Sequence, residues 1–253
     1  MFVIRFISLL ILIYCNQYIK AQRNDWQKMC LKGKVRSVKL ICYEADNKTS
    51  EIKKGEILSQ YNFIFNEKGY IVEASSNISG WDYNTNDKYK YDDKGNLIEI
   101  NFIRPNGDTI YKTIYKYDSI ANKIEEKNYT PIAKLDHIIK FKYDNEGNCI
   151  EDSLYLSNGS LSSYTIFEND KNGNNIKESY YKSNGKPNGK SISEFDKNGN
   201  PVANNSYESD GTISSENVYS YEYDKKGSWI KRFNYKGRNK TIDNITEREI
   251  IYY

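Results

Sequence analysis

Apolar and polar positions alternate with a period of two along most of the chain, and aromatic pairs mark the alternation. Phe63/Phe65, Tyr89/Tyr91, Tyr115/Tyr117, Phe141/Tyr143 and Tyr221/Tyr223 each stand two residues apart. That spacing puts both rings on one face of a strand, whereas a helix would repeat every three or four residues. Each run ends in a turn signal, as in Asp92-Asp93-Lys94-Gly95, Asp144-Asn145-Glu146-Gly147 and Asp196-Lys197-Asn198-Gly199. The first Asp bonds back to the backbone and the Gly takes a left-handed conformation, which predicts a tight hairpin at every copy.

The turn position recurs at 69, 95, 121, 147, 173, 199 and 227, five steps of 26 and one of 28. A second glycine tracks it: Gly107, Gly159, Gly185 and Gly211 each lie 12 residues on, and Gly237 lies 10 after Gly227. Segments such as Pro105-Asn106-Gly107-Asp108 and Ser209-Asp210-Gly211-Thr212 are hairpin signals as well. Two turns per unit leave two strands of roughly 7 to 10 residues. The third unit has Ala121 and Ala133 at both glycine positions, so it reads as a divergent copy that has lost its turn glycines.

An aliphatic follows each first turn at a fixed offset (Val72, Ile98, Ile124, Ile150, Ile176, Val202, Ile230). Five residues later comes Tyr129, Tyr155, Tyr181 or Tyr207, and in the last unit Phe233 lies three after Ile230. An odd offset changes the strand face, so either a bulge intervenes or the later rings line the second face. Tyr155, Tyr181 and Tyr207 form the candidate binding ladder. They either fill a thin core or stack on sugar rings or partner side chains.

These patterns predict an all-β fold: an extended, curved antiparallel sheet of about seven stacked 26-residue hairpins behind an N-terminal signal helix. The expected divisions are residues 1–21 as signal peptide, 22–60 as N-terminal capping strands and 61–253 as a hairpin array continuous with those caps. Leu31 to Val38 and Ile57 to Phe65 read as strands around a polar loop, Ala45 to Gly55. Ile250-Ile251-Tyr252-Tyr253 repeats a first strand and stops, so it reads as a terminal cap with an exposed edge. A four-stranded propeller blade needs about 40 residues, which disfavours that architecture. Isolated hairpins are marginal in water, so the units must stack to be stable.

The Tyr-Asp-x-x-Gly-Asn-x-Ile core, as in Tyr91-Asp92 through Gly95-Asn96 to Ile98, resembles the YD repeat of Rhs-type proteins across residues 61–249. In that family long hairpin arrays wind into a sheet that encloses a toxin cargo. The period here is longer, the units are few and no toxin domain follows, so the resemblance implies the hairpin architecture without the toxin function. The second turns are also similar to the short β-hairpin repeats of bacterial immunity proteins.

The N-terminus bears on compartment. Arg5 precedes a short apolar run, Phe6 to Tyr14, which has the length of a signal-peptide core rather than the roughly 20 residues of a bilayer span. The expected cleavage lies between Ala21 and Gln22, with lipoprotein processing at Cys15 as the rival. Export by the general secretion route follows, to the periplasm, cell surface or medium, with no transmembrane span in the mature chain. Removing residues 1–21 takes away Arg5 and Lys20 and no acid, leaving 35 basic against 34 acidic side chains. That balance gives no electrostatic footprint for nucleic acid.

Candidate chemistry is thin. Cys30, Cys42 and Cys149 remain after cleavage; the first two could close a short disulfide loop, and one histidine cannot make a zinc pattern. The turn aspartates lack the ligand spacing of a calcium loop and read as turn formers. Glu125-Glu126 and Glu151-Asp152 read as solvated strand faces, His137 as a surface or loop histidine, and Cys149 as packing or a loop edge. No catalytic residue, metal site or cofactor is expected. The expected function is a non-enzymatic binding or scaffold role at the cell envelope, toward a polysaccharide or an envelope protein; the alternative is a periplasmic immunity protein for a cognate toxin.

Overall fold

The computed structural model describes residues 24–46, 53–80, 84–237 and 241–253; the signal-peptide, Ala21/Gln22 and Cys15 readings lie outside these. After one helical turn, α1 (Asp25–Lys28), the strands run β1 (Val35–Asp46), β2 (Lys53–Phe65), β3 (Ile71–Ile78), β4 (Thr85–Tyr91) and β5 (Leu97–Ile103). They continue as β6 (Thr109–Tyr117), β7 (Lys123–Tyr129), β8 (Leu135–Tyr143), β9 (Cys149–Leu156), β10 (Leu161–Asn169) and β11 (Asn175–Lys182). The last are β12 (Pro187–Phe195), β13 (Pro201–Tyr207), β14 (Ile213–Tyr223), β15 (Trp229–Lys236) and β16 (Thr241–Tyr252).

Each strand pairs antiparallel with its sequence neighbours, and β16 pairs with β1 from Val35↔Tyr252 to Glu44↔Asn244. The sheet is therefore a closed barrel of 16 strands, which overturns the expected extended sheet of stacked hairpins. The two segments read as caps are the strands that close it. The cause is cumulative: every hairpin carries the same bulge beside its first turn, as at Lys90/Tyr91, Lys116/Tyr117, Lys142/Tyr143 and Glu194/Phe195. A bulge adds twist and bend, and repeated at a fixed phase it curls the sheet until its edges meet.

The bulge also answers the odd offset. In β9 the register shift beside Tyr143 leaves Ile150 exposed at the bulge, and Glu151, Ser153 and Tyr155 then share one face.

The first turns form as their residues dictate. Asp92 N–H donates to Asn96 O at 2.9 Å and Gly95 N–H to Asp92 O at 3.0 Å. One carboxylate oxygen of Asp92 accepts from the amides of Lys94 and Asn96, and the other accepts from Asn96 Nδ2 at 2.9 Å. The same set recurs at Asp118, Asp144, Asp170 and Asp196. The divergent unit keeps both turns. Ala121 and Ala133 adopt φ of 67° and 57°, the left-handed region that glycine fills elsewhere.

One end of the barrel is stopped by the segment 24–33, which was expected among the capping strands and instead forms a helical turn and plug outside the sheet. Asp25 and Trp26 amides donate to Gly69 O, Trp26 Nε1 donates to Val35 O at 2.8 Å, and Asp25 Oδ2 accepts from Ile71 N–H at 2.8 Å. Farther round the mouth, Cys30 Sγ meets Gly199 O at 3.7 Å and Lys32 N–H donates to Ser228 Oγ at 2.8 Å. Met29 is fully buried, and with Trp26 and Leu31 it packs on Val38, Leu40, Phe63, Phe65, Ile71 and Trp229, the main apolar core.

Candidate functional site

Directly paired residues of an antiparallel sheet share a face, so the register sorts every strand residue into one facing the plug or one facing outward. The plug face is the lumen: Arg248 Nη1 donates to Met29 O at 2.9 Å, and Tyr91 Oη donates to Asp25 Oδ2 at 3.0 Å.

The outward face is charged. Cross-strand ion pairs join Glu99 to Lys112 at 2.8 Å, Lys142 to Glu151 at 2.7 Å, Glu168 to Lys177 at 2.6 Å and Lys54 to Glu247 at 2.9 Å. Glu73 with Lys88, and Lys39 with Glu249, extend the pattern around the barrel.

The tyrosine ladder lies on this outward face, on alternate strands. Tyr155, Tyr181 and Tyr207 are each half-buried, so they neither fill the core nor stand free. Lys140 Nζ lies 5.1 Å from the Tyr155 ring centre and Lys190 Nζ lies 5.0 Å from that of Tyr207. Tyr181 stacks on Tyr164 with centroids 4.9 Å apart and planes 8° apart. Each ladder ring thus has a cation or a second ring against it.

The lumen holds what sequence reasoning missed. Glu126, Asp152, Glu178 and Asn204 are spaced by 26 residues, and Arg232 follows after 28. The register turns all five inward, on β7, β9, β11, β13 and β15. The same phase is apolar earlier, at Ala74 and Ile100. Reading down that column of the repeat would have found the ring; attention to the turns and the aromatics hid it. The adjacent acid pairs are split by the same alternation. Glu125 and Glu151 face outward to Lys127 and Lys142, while Glu126 and Asp152 face the lumen, which corrects their reading as solvated positions.

Burial sets the charge states inside. It pushes Asp152 up to about 6, Asp87 up to about 7, and Glu178 above its ordinary value. Burial acts on Glu126 too, but the charge and hydrogen bond of Lys123 at 3.0 Å outweigh it and hold the carboxyl below the usual range. His137 sits on β8 rather than on a loop, faces the lumen opposite Asn128, and has Nδ1 2.9 Å from Asp136 Oδ2. Cys149 is fully buried against Phe141 and Phe167, and burial pushes its thiol up to about 12. Cys30 and Cys42 are free thiols, so the short disulfide loop does not form.

No family model matches the sequence, and neither does any curated protein. Among solved structures, a porin-like protein from Bacteroides uniformis ATCC 8492 is similar with a TM-score of 0.52 at 9% identity, covering 86% of this chain and 96% of that one. At that identity the likeness shows the fold alone, a porin-like barrel. A Photorhabdus luminescens Tc holotoxin pore (TM-score 0.23, 12% identity, 80% of this chain and 12% of that one) is too distant in shape to carry an argument. A putative outer membrane lipoprotein-sorting protein domain from Vibrio parahaemolyticus (TM-score 0.26, 11% identity, 93% and 90%) is equally so.

Proposed function

We propose that this chain is an exported, non-enzymatic binding protein of the cell envelope whose barrel stands in water and presents the Tyr155–Tyr181–Tyr207 face to a glycan or a protein partner. The observation that carries the reading is the outward face, where lysine–glutamate pairs encircle the barrel and half-buried tyrosines recur between them. A lipid-facing barrel needs an outward apolar band about 25 Å tall, and each lysine at the bilayer midplane costs about 2–4 kcal/mol. Lys112 stands in the middle of β6 and would carry such a cost, while Lys54, Lys142 and Lys177, nearer the strand ends, would each add less.

A non-enzymatic role is supported by the state of the reactive groups. The Cys149 thiol is buried and protonated, and the sequence-adjacent carboxylates point to opposite faces.

Residues 22–253, purified without detergent, test both parts. The expected result is a monodisperse folded species that gives no conductance in planar bilayers and binds an immobilised envelope polysaccharide or captures an envelope protein. Replacing Tyr155, Tyr181 and Tyr207 with Ala should abolish that binding while circular dichroism stays β. Stable channels, or aggregation that only detergent relieves, would overturn the water-standing reading; binding unchanged in the triple variant would overturn the ladder.

A further inference from the structure

The lumen wall at β14–β16 contains a half-buried arginine, Arg232, whose Nε is enclosed and which has no carboxylate in an ion pair with it among the described residues. Arg232 pairs with Tyr221 on β14 and with Thr246 on β16. Its guanidinium lies 5.4 Å from the Tyr219 ring centre and 5.7 Å from that of Trp229, and Nη2 donates to Thr246 Oγ1 at a long 3.4 Å. Nε is buried without a hydrogen-bond partner, and Glu247, beside Thr246 on β16, is held by Lys54 and Lys231 on the outward face. Two residues on, Asn234 faces the same lumen, and its buried Oδ1 has no partner among the described residues. Arg248 lies nearby on β16, its guanidinium 3.4 Å from the Trp229 ring centre.

A polar N–H enclosed away from water is as a rule hydrogen-bonded, so an enclosed guanidinium N–H with no acceptor marks a place for one. Among the lumen carboxylates, Glu178 on β11 is four strands and Glu126 on β7 eight strands from β15 in a ring of 16, and neither forms an ion pair with Arg232. Glu126 is in any case engaged by Lys123. A guanidinium fork with a spare N–H, beside an open amide oxygen, matches a ligand that has both an anionic oxygen pair and a hydroxyl donor.

We propose that Arg232, with Thr246 and Asn234, forms an anion site in the barrel lumen that takes a small hydroxylated anion of the sugar-acid class. The carboxylate accepts from Arg232 Nε–H and Nη–H, and a ligand hydroxyl donates to Asn234 Oδ1. This site is on the opposite side of the sheet from the tyrosine ladder and does not depend on it.

The test is calorimetric titration of residues 22–253 with glucuronate and with glucose at fixed ionic strength, on the wild type, Arg232→Gln, Arg232→Lys and the ladder triple variant. Expected are saturable glucuronate binding, none for glucose, a loss of about tenfold or more in both Arg232 variants, and no change in the ladder variant. If Arg232→Gln does not fold, Arg232→Lys and Asn234→Ala carry the comparison, each with a loss of about tenfold or more expected. Wild-type protein that does not bind glucuronate would overturn the site. So would glucuronate binding that is unchanged in the Arg232 variants, or that is lost in the ladder variant.

Discussion

Tyr143 Oη, on β8, donates to the carbonyl of Lys123 on the preceding strand β7 at 2.9 Å. The same bond, always spanning 20 residues, runs from Tyr91 to Ile71, Tyr117 to Leu97 and Tyr221 to Pro201, and Asn169 Nδ2 makes it to Cys149 O. The carbonyl that receives it lies at the bulge, where the ladder cannot satisfy it. At these five places a tyrosine or an asparagine ties a hairpin to the one before, where the sheet bends.

Tyr143→Phe keeps the ring and removes this bond. A buried acceptor is left without its donor, which should cost about 1–3 kcal/mol. Urea unfolding should show a lower midpoint with an unchanged slope; an unchanged midpoint would mean that the bulge carbonyl is solvated without the hydroxyl.

The two alanine turns hold recoverable strain. Ala121 and Ala133 sit at φ of 67° and 57°, where an L-residue loses roughly 1–2 kcal/mol relative to its right-handed form. Glycine removes that strain and adds back some unfolded-chain entropy, about 0.4–1 kcal/mol. Ala121→Gly and Ala133→Gly should therefore each stabilise by roughly 0.5–1 kcal/mol, with a Tm rise of about 1–4 °C per site. A fall in Tm for either would show that the surrounding turn, and not the φ, limits this unit.

Much of this fold can be read from the residues. The strands and both turn series follow from Tyr-x-Tyr alternation and Asp-x-x-Gly, because those signals act over four or five residues. Closure cannot be read that way. It depends on one bulge per hairpin accumulating around the ring, and on Ile245 through Ile250 meeting Tyr43 through Val38 some 200 residues earlier. Asn24 to Leu31, expected within the capping strands, forms a plug instead: the segment has no periodicity of its own, and its helical turn is held by an Asn24–Gln27 capping box and by Gly69, a distant contact. The lumen ring was present as a 26-residue column, yet Glu126 next to Glu125 looks like surface until the strand face is known.

Two populations of aspartate give the stability an acid-side optimum. At the turns, burial pushes Asp144 and Asp170 up slightly, but hydrogen bonds from Asn148 and Asn174 outweigh it and hold both below the ordinary value. Their folded pKa is depressed, so their contribution is present above pH 4 and is lost as pH falls through the folded value. Asp87 is the reverse: burial raises it to about 7, so the unfolded chain sheds this proton first and stability declines as pH rises from about 4 to about 7. Thermal melts should peak between these limits. Asp87→Asn should flatten the decline on the neutral side and raise Tm at pH 8. An unaltered pH profile in that variant would show that Asp87 ionises freely in the fold.

Trp26 is the residue on which the plug turns. Its Nε1 donates to Val35 O, its ring tilts against Phe65 with centroids 6.4 Å apart, and its Cε3 would lie 2.7 Å from a Cβ at Gly69. Gly69 has φ of +84°, so a side chain there is both strained and in collision with Trp26. Trp26→Ala empties a buried ring position and should cost about 3–5 kcal/mol. Gly69→Ala should act on the same contact from the other side, by pushing the segment off the mouth. Because both act through one interaction, the double variant should fall well short of the sum of the two losses. Hydrogen exchange gives the structural readout: the amides of Asp25 and Trp26, which donate to Gly69 O, should lose protection in both single variants while the β8–β9 amides keep theirs. Additive losses, or deprotection that spreads at once to β8 and β9, would mean that the plug is part of the barrel's cooperative core and not a separable stopper.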